Sequence, residues 1–133
     1  MDDDTTVDSL ETSRHLSVWI EAAPEAVYAF ASNPAELVRW AAGLADPTLA
    51  DADVEFAAPN DFGVLDHVVR LPTGEAVYNP MRVIPAGPSA SRCEVVFTLR
   101  RRPEMTNDEF EADAAAVAAD LETLRGLVEG LAR

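Results

Sequence analysis

Residues 106–131 constrain this chain most. Phe110, Ala114, Val117, Leu121, Leu124, Val128 and Leu131 recur at steps of three and four. That spacing lays them along one face of a helix. Thr106-Asn107-Asp108-Glu109 has the capping-box pattern, in which a hydroxyl accepts an early backbone N–H and a carboxylate reaches back. Pro103 stands just outside, and Asp108, Glu109, Glu111 and Asp113 suit the positive end of the helix dipole. About 25 residues at about 1.5 Å each make a rod of about 38 Å, enough to cross a small domain. Charges interrupt the apolar run, so it is not a membrane span. The midsection, 112–119, is thin. Small side chains there either let a sheet approach closely or leave a cavity, or are present because Ala is the best helix former. The charged face with Glu111, Glu122 and Glu129 reads as solvated surface.

The stretch before it reads as strands that could cover this rod. Positions 14–21 alternate, with Leu16, Val18 and Ile20 on one face and His15, Ser17 and Trp19 on the other. Trp19 therefore belongs under the N-terminal tail or at an edge. Pro24 opens a short helix with Val27, Phe30 and Ala31 as its buried stripe. Asn33-Pro34 caps and starts a second, with Leu37, Val38 and Ala41 inward and Gly43 as its stop. Trp40 is either core filler or the lip of a pocket. Residues 44–61 are the least readable, though Val54, Phe56 and Ala58 alternate like a strand. A hairpin follows. Leu65, His67, Val69 and Leu71 share its apolar face with Val77, Asn79, Met81 and Val83, while Asp66, Arg70, Tyr78 and Arg82 take the other. Pro80 inside the return strand argues for an edge or a bulge. In the last strand, 92–101, Cys93, Val95, Phe97 and Leu99 face in.

Strands follow strands through short turns, so parallel crossovers are absent. The pattern predicts an α+β fold: a curved antiparallel sheet wrapped around a long C-terminal helix, with two short helices after the first strand. Residues 1–13, led by Asp2-Asp3-Asp4, read as a flexible acidic tail, and 14–133 as one domain.

Composition narrows the partners. The formal charge is −14 and every basic residue is Arg. Such a chain repels phosphate backbones and anionic membranes, so neither nucleic acid nor membrane is an expected partner. Cys93 is alone, which leaves no internal disulfide and no cysteine metal cage. Two distant His residues and no phosphate-binding glycine loop give no metal site and no cofactor. Nothing resembles a secretory signal, so a cytoplasmic location is expected.

The chain resembles the SRPBCC superfamily, the START-related helix-grip proteins that include polyketide cyclases and pollen-allergen-like lipid binders. The residues that carry the resemblance are Ala-Ala-Pro-Glu-Ala-Val-Tyr-Ala-Phe-Ala at 22–31, Asn33-Pro34, Trp40, Phe62-Gly-Val-Leu-Asp-His67, Pro80-Met-Arg-Val83, Glu94-Val-Val-Phe-Thr-Leu99 and the C-terminal helix. It covers about residue 14 to the end, and its later motifs are similar to a polyketide cyclase/dehydrase-like bacterial subgroup. It implies a hydrophobic pocket between sheet and helix that takes a small hydrophobic ligand. Two strands usually occupy the region after the short helices; here 44–61 is short, which implies a truncated or missing hairpin.

The side chains expected around a ligand are His67, Asn79, Cys93, Phe97, Phe110 and Val117. His67 is the sharpest: it is either a general base or ligand-orienting group, or a core histidine satisfied by backbone or water. Asp66 should point to the opposite face, so the two do not form a dyad by adjacency. Cys93 reads as a small buried hydrophobe. Three functions remain open. The first is a small-molecule binding module. The second is a cyclase- or dehydratase-like enzyme using His67 with Asn79, and the third an interaction module, including a homodimer.

Overall fold

The computed structural model describes residues 12–41 and 53–131. Along the chain run β1 (Ser13–Ile20), α1 (Pro24–Ala31), α2 (Pro34–Trp40), β2 (Asp53–Phe56), β3 (His67–Arg70), β4 (Ala76–Asn79), β5 (Met81–Pro85), β6 (Cys93–Arg100) and α3 (Asn107–Leu131). The tail up to residue 11, Gly43 and the first half of the shortened stretch, 44–52, lie outside the described residues.

All pairing is antiparallel. Instead of one continuous sheet there are two of three strands, ordered β1-β6-β5 and β2-β3-β4. The division falls at Pro80. β4 ends at Asn79 against His67, and β5 starts at Met81 against Phe97. Proline has no N–H for a ladder, and here its carbonyl accepts from the Thr98 amide at 2.9 Å. Two further bonds, Leu65 N–H to Met81 O and Val83 N–H to Gly63 O, both 2.8 Å, stitch the chain before β3 to β5. The proline expected to mark an edge or a bulge thus stands at the hinge between two sheets, with β4 and β5 each an edge strand. Among the described residues of the shortened stretch there is one strand, β2, which pairs with β3.

β6 shows the alternation read from its sequence: Cys93, Val95, Phe97 and Leu99 are buried, and the residues between them are not. These side chains meet Ile20, Val18, Met81, Val83 and the helix residues Phe110, Ala114, Leu121, Leu124 and Val128 in one core. α3 is capped as expected. The Thr106 amide donates to Glu109 Oε1 at 2.8 Å, and the Glu109 amide donates to Thr106 Oγ1 at 3.1 Å. Replacing Thr106 with Ala should cost about 1 kcal/mol, read as a lower urea midpoint with unchanged slope.

Two straps fix α3 along β1. Arg14 pairs with Glu111, and the Glu21 amide donates to Glu129 Oε2 at 2.9 Å. Seven strand residues span about 23 Å and eighteen helical residues about 27 Å, so the straps set rod and strand nearly in step. Glu129 is therefore not the solvated residue expected: its side chain is 13% exposed and also accepts from Arg125 at 3.1 Å. Val38 departs as well. It is 65% exposed, because in the seven-residue α2 the buried positions are Trp40 and, in part, Leu37, and 38 lies off that line. Trp19 lies on the outer face, 44% exposed, with the Arg92 guanidinium 4.4 Å from its ring centre.

Candidate functional site

A solvent-connected cavity of about 310 Å³ lies between the β2-β3-β4 sheet, the Phe97–Arg100 end of β6, α2 and the middle of α3. Its wall is mostly apolar: Leu37, Trp40, Ala41, Val54, Val69, Leu71, Val77, Phe97, Leu99, Ala116, Val117 and Leu121. The polar contributors are His67, Asn79, Arg100, Arg102, Asp113 and Asp120. That volume is at the lower end of what small-molecule pockets occupy.

Parity builds this wall. Val69 and Val77 are paired across β3 and β4, as are His67 and Asn79, and side chains two apart share a face. On α3, Asp113, Ala116, Val117, Asp120 and Leu121 follow the helical step. The thin midsection is only partly about the cavity. Ala112, Ala115, Ala118 and Ala119 are exposed away from it, which fits helix propensity, and Ala116 alone among the five lines it.

His67 is buried, its ring tilted between Phe56 and Phe97 at centroid distances of 5.1 and 5.9 Å. Nδ1 lies 3.0 Å from the Leu65 carbonyl. A carbonyl only accepts, so Nδ1 carries the proton and Nε2 presents a lone pair. That lone pair faces Asn79 Nδ2 at 3.4 Å, a long contact. Burial pushes the His67 pKa below its ordinary value; the Leu65 carbonyl and the Asp66 charge pull the other way and do not prevail. At neutral pH the ring is an uncharged acceptor on an apolar wall.

Asp66, one residue earlier, points away from this cavity into a cluster of its own. It accepts from Tyr78 Oη at 2.7 Å, the Met81 amide at 3.0 Å, and Arg82 Nε and Nη2 at 2.9 and 3.0 Å. The Arg82 guanidinium, with the other donors and against burial, holds its carboxyl well below the usual carboxylate range. This cluster clamps the outer side of the hinge at Pro80, and no group of it lines the cavity.

Four of the six expected ligand contacts come together: His67, Asn79, Phe97 and Val117 line the cavity. Cys93 and Phe110 lie outside that lining. Cys93 sits at the other end of β6 with Sγ 3.7 Å from the Ala22 carbonyl, and burial pushes its thiol up to about 11. Phe110 is buried at the start of α3, with the Arg14 and Arg101 guanidinium groups 5.4 and 5.9 Å from its ring centre. Trp40 is buried and lines the cavity, and its Nε1 has no hydrogen-bond partner among the described residues. Sequence reasoning missed Asp113 and Asp120. The signal was available: with Val117 they stand at steps of four and three, on the apolar stripe rather than opposite it.

Among the described residues no helix is long and apolar enough to cross a membrane, and no group of three or more His, Cys, Asp or Glu is placed to hold a metal ion. No protein-family model matches the chain, and no curated protein matches it by sequence. Solved structures do match. The truncated norcoclaurine synthase from Thalictrum flavum superposes with a TM-score of 0.56 at 13% identity, covering 88% of this chain and 92% of that one. A Thermobifida fusca protein solved by solution NMR gives 0.55 at 14% identity, covering 90% and 94%. The Zhui aromatase/cyclase from Streptomyces sp. R1128 gives 0.50 at 17% identity, covering 92% and 97%. What these likenesses establish is the fold alone: an antiparallel sheet arrangement closed on a long C-terminal helix, the helix-grip fold.

Proposed function

We propose that this helix-grip chain binds a small, mostly apolar molecule in the cavity between its second sheet and α3. The observation that carries the reading is the wall itself: a space of about 310 Å³ with apolar side chains from four strands and two helices and only a few polar groups. His67 and Asn79 form its inner polar point. Val69 and Val77 on the sheet, and Val117 and Leu121 on the helix, are the surfaces an apolar body would lie against. Cys93 and Phe110, in the core away from the lining, act on a ligand only through packing.

The test is to fill the space. Val117 is half-buried on the cavity wall, so Val117→Trp has room that a packed core position lacks. Binding of a neutral naphthyl probe, 2-(1-naphthyl)ethanol, is followed by calorimetry and by methyl NMR shifts of Val69, Val77 and Val117. The wild-type chain is expected to bind with those methyls shifting, and Val117→Trp to weaken binding by about tenfold or more while the melting temperature holds. Binding that survives Val117→Trp unchanged refutes the reading.

One observation favours a second reading, catalysis. A neutral His67 with its Nε2 lone pair toward the cavity is poised as a base, and Asn79 is placed to orient a carbonyl beside it. Turnover of cyclisable polyketide analogues that vanishes in both His67→Ala and Asn79→Ala supports it. Turnover that survives both removes it.

A further inference from the structure

The mouth of the cavity carries a charge pattern that chooses among apolar ligands. Asp113 is half-buried on α3, one turn before Val117, and lines the cavity. It also lines an adjoining surface pocket with Glu75, Glu104, Glu109 and Arg102. At this end four carboxylates therefore stand against one guanidinium, and that guanidinium is committed: Arg102 Nη1 donates to Glu75 Oε1 at 3.2 Å. Arg100, the other cation on the cavity wall, is the exposed last residue of β6.

Helix electrostatics account for Asp108 and Glu109, which lie in the first turn of α3. They do not account for Asp113, beyond that turn and on the inward side. Nor, among the described residues, does any donor hold it. What acts on its carboxyl is burial first, then the charges of Arg102 and Glu109, with no hydrogen bond among these influences, and burial pushes its pKa up. A partly desolvated carboxylate without a donor gains most from a cation placed beside it. The inner end agrees, since His67 Nε2 is an acceptor as well.

Resting on the binding reading above, we propose that the cavity takes an apolar amine in its protonated form, with the apolar body against Val117 and Phe97 and the ammonium at Asp113. A neutral analogue would fill the same space and leave the carboxylate bare. A carboxylate analogue would set two like charges together at the mouth.

The experiment compares three probes of one shape by calorimetry: 2-(1-naphthyl)ethylamine, 2-(1-naphthyl)ethanol and 1-naphthylacetate. In the wild-type chain the amine should bind about tenfold tighter than the alcohol, and the acid weakest. Asp113→Asn should bring the amine down to the alcohol's affinity and leave the alcohol within about twofold, which also shows that the variant is folded. Glu122→Gln removes the same charge from an exposed residue paired with Arg125 and should leave the preference intact. The proposal is overturned if the alcohol or the acid binds as well as the amine, or if Asp113→Asn and Glu122→Gln act alike. If none of the three binds, the cavity reading falls with it. If the alcohol binds and the amine is not preferred, only the charge assignment falls.

Discussion

Replacing Asp66 with alanine is expected to cost about 3 kcal/mol of folding stability. The carboxylate is 9% exposed and takes four donated hydrogen bonds. Its partners differ in what they lose. The Arg82 side chain is 50% exposed and Tyr78 is 58% exposed, so both can return to water. Met81 is wholly buried, and its amide would be left without an acceptor. An orphaned buried N–H accounts for about 1–3 kcal/mol, and the lost charge-assisted pair for the rest. Tyr78→Phe removes one solvent-accessible donor and should cost much less than Asp66→Ala. Urea unfolding measures both. A loss in Asp66→Ala no greater than in Tyr78→Phe would show that the cluster does not hold the hinge.

The same residues set how stability depends on pH. Asp66 titrates far lower folded than unfolded, mainly because of Arg82. Its contribution is complete above the unfolded value of about 3.9 and drains away as pH falls through the lower folded value. His67 is also depressed, by burial. Below about 6.5 the unfolded chain takes a proton that the folded chain refuses, so stability falls until pH reaches the folded value and then levels. Two descending steps are expected, one below about pH 6.5 and one below about pH 4. His67→Gln should erase the first, and Asp66→Asn should shrink the second, which Glu109, held low by its hydrogen bonds to Thr106, shares. A profile flat from pH 7 to 4.5 would contradict the buried, neutral ring.

How much of this was legible follows from what periodicity encodes. The step of three and four, with the capping box, placed a helix over 106–131, observed as Asn107–Leu131, and put Phe110, Leu121 and Leu124 in the core. Alternation put Phe97 and His67 inward and Asp66 outward. Parity names a face but not a depth along it. Cys93 and Phe97 share the inward face of β6 yet stand four residues, about 13 Å, apart, and only Phe97 reaches the cavity. Phe110 and Val117 differ in the same way along α3, by about 10 Å. Charge misled more than spacing did. Glu129, read as solvated, is a strap between helix and strand, and Asp113 passed as dipole decoration although its position is on the apolar stripe. The split of the sheet at Pro80 needed the partners on both sides, which no local pattern supplies.

Gly63→Ala should be as damaging as the loss of Asp66, about 3 kcal/mol or more, for an unrelated reason. Gly63 has φ +71°, where L side chains are strained. A Cβ there would also sit 2.2 Å from the Val83 carbonyl oxygen, a backbone atom that cannot swing aside. The Val83 amide meanwhile donates to the Gly63 carbonyl at 2.8 Å, so the two chains are held at the separation the methyl would violate. Relief requires widening the junction that carries β3 against β5, next to the Asp66 clamp. Gly74 separates the two causes. Its φ is +95°, yet a Cβ there would meet nothing within 4 Å, so Gly74→Ala should cost only the conformational part, about 1 kcal/mol. Thermal unfolding of the two variants side by side reads the difference. Equal losses would mean that backbone strain alone acts at Gly63 and that the junction yields without cost. A loss at Gly63 several times larger means that the close approach of the two chains is itself what joins the sheets over the cavity.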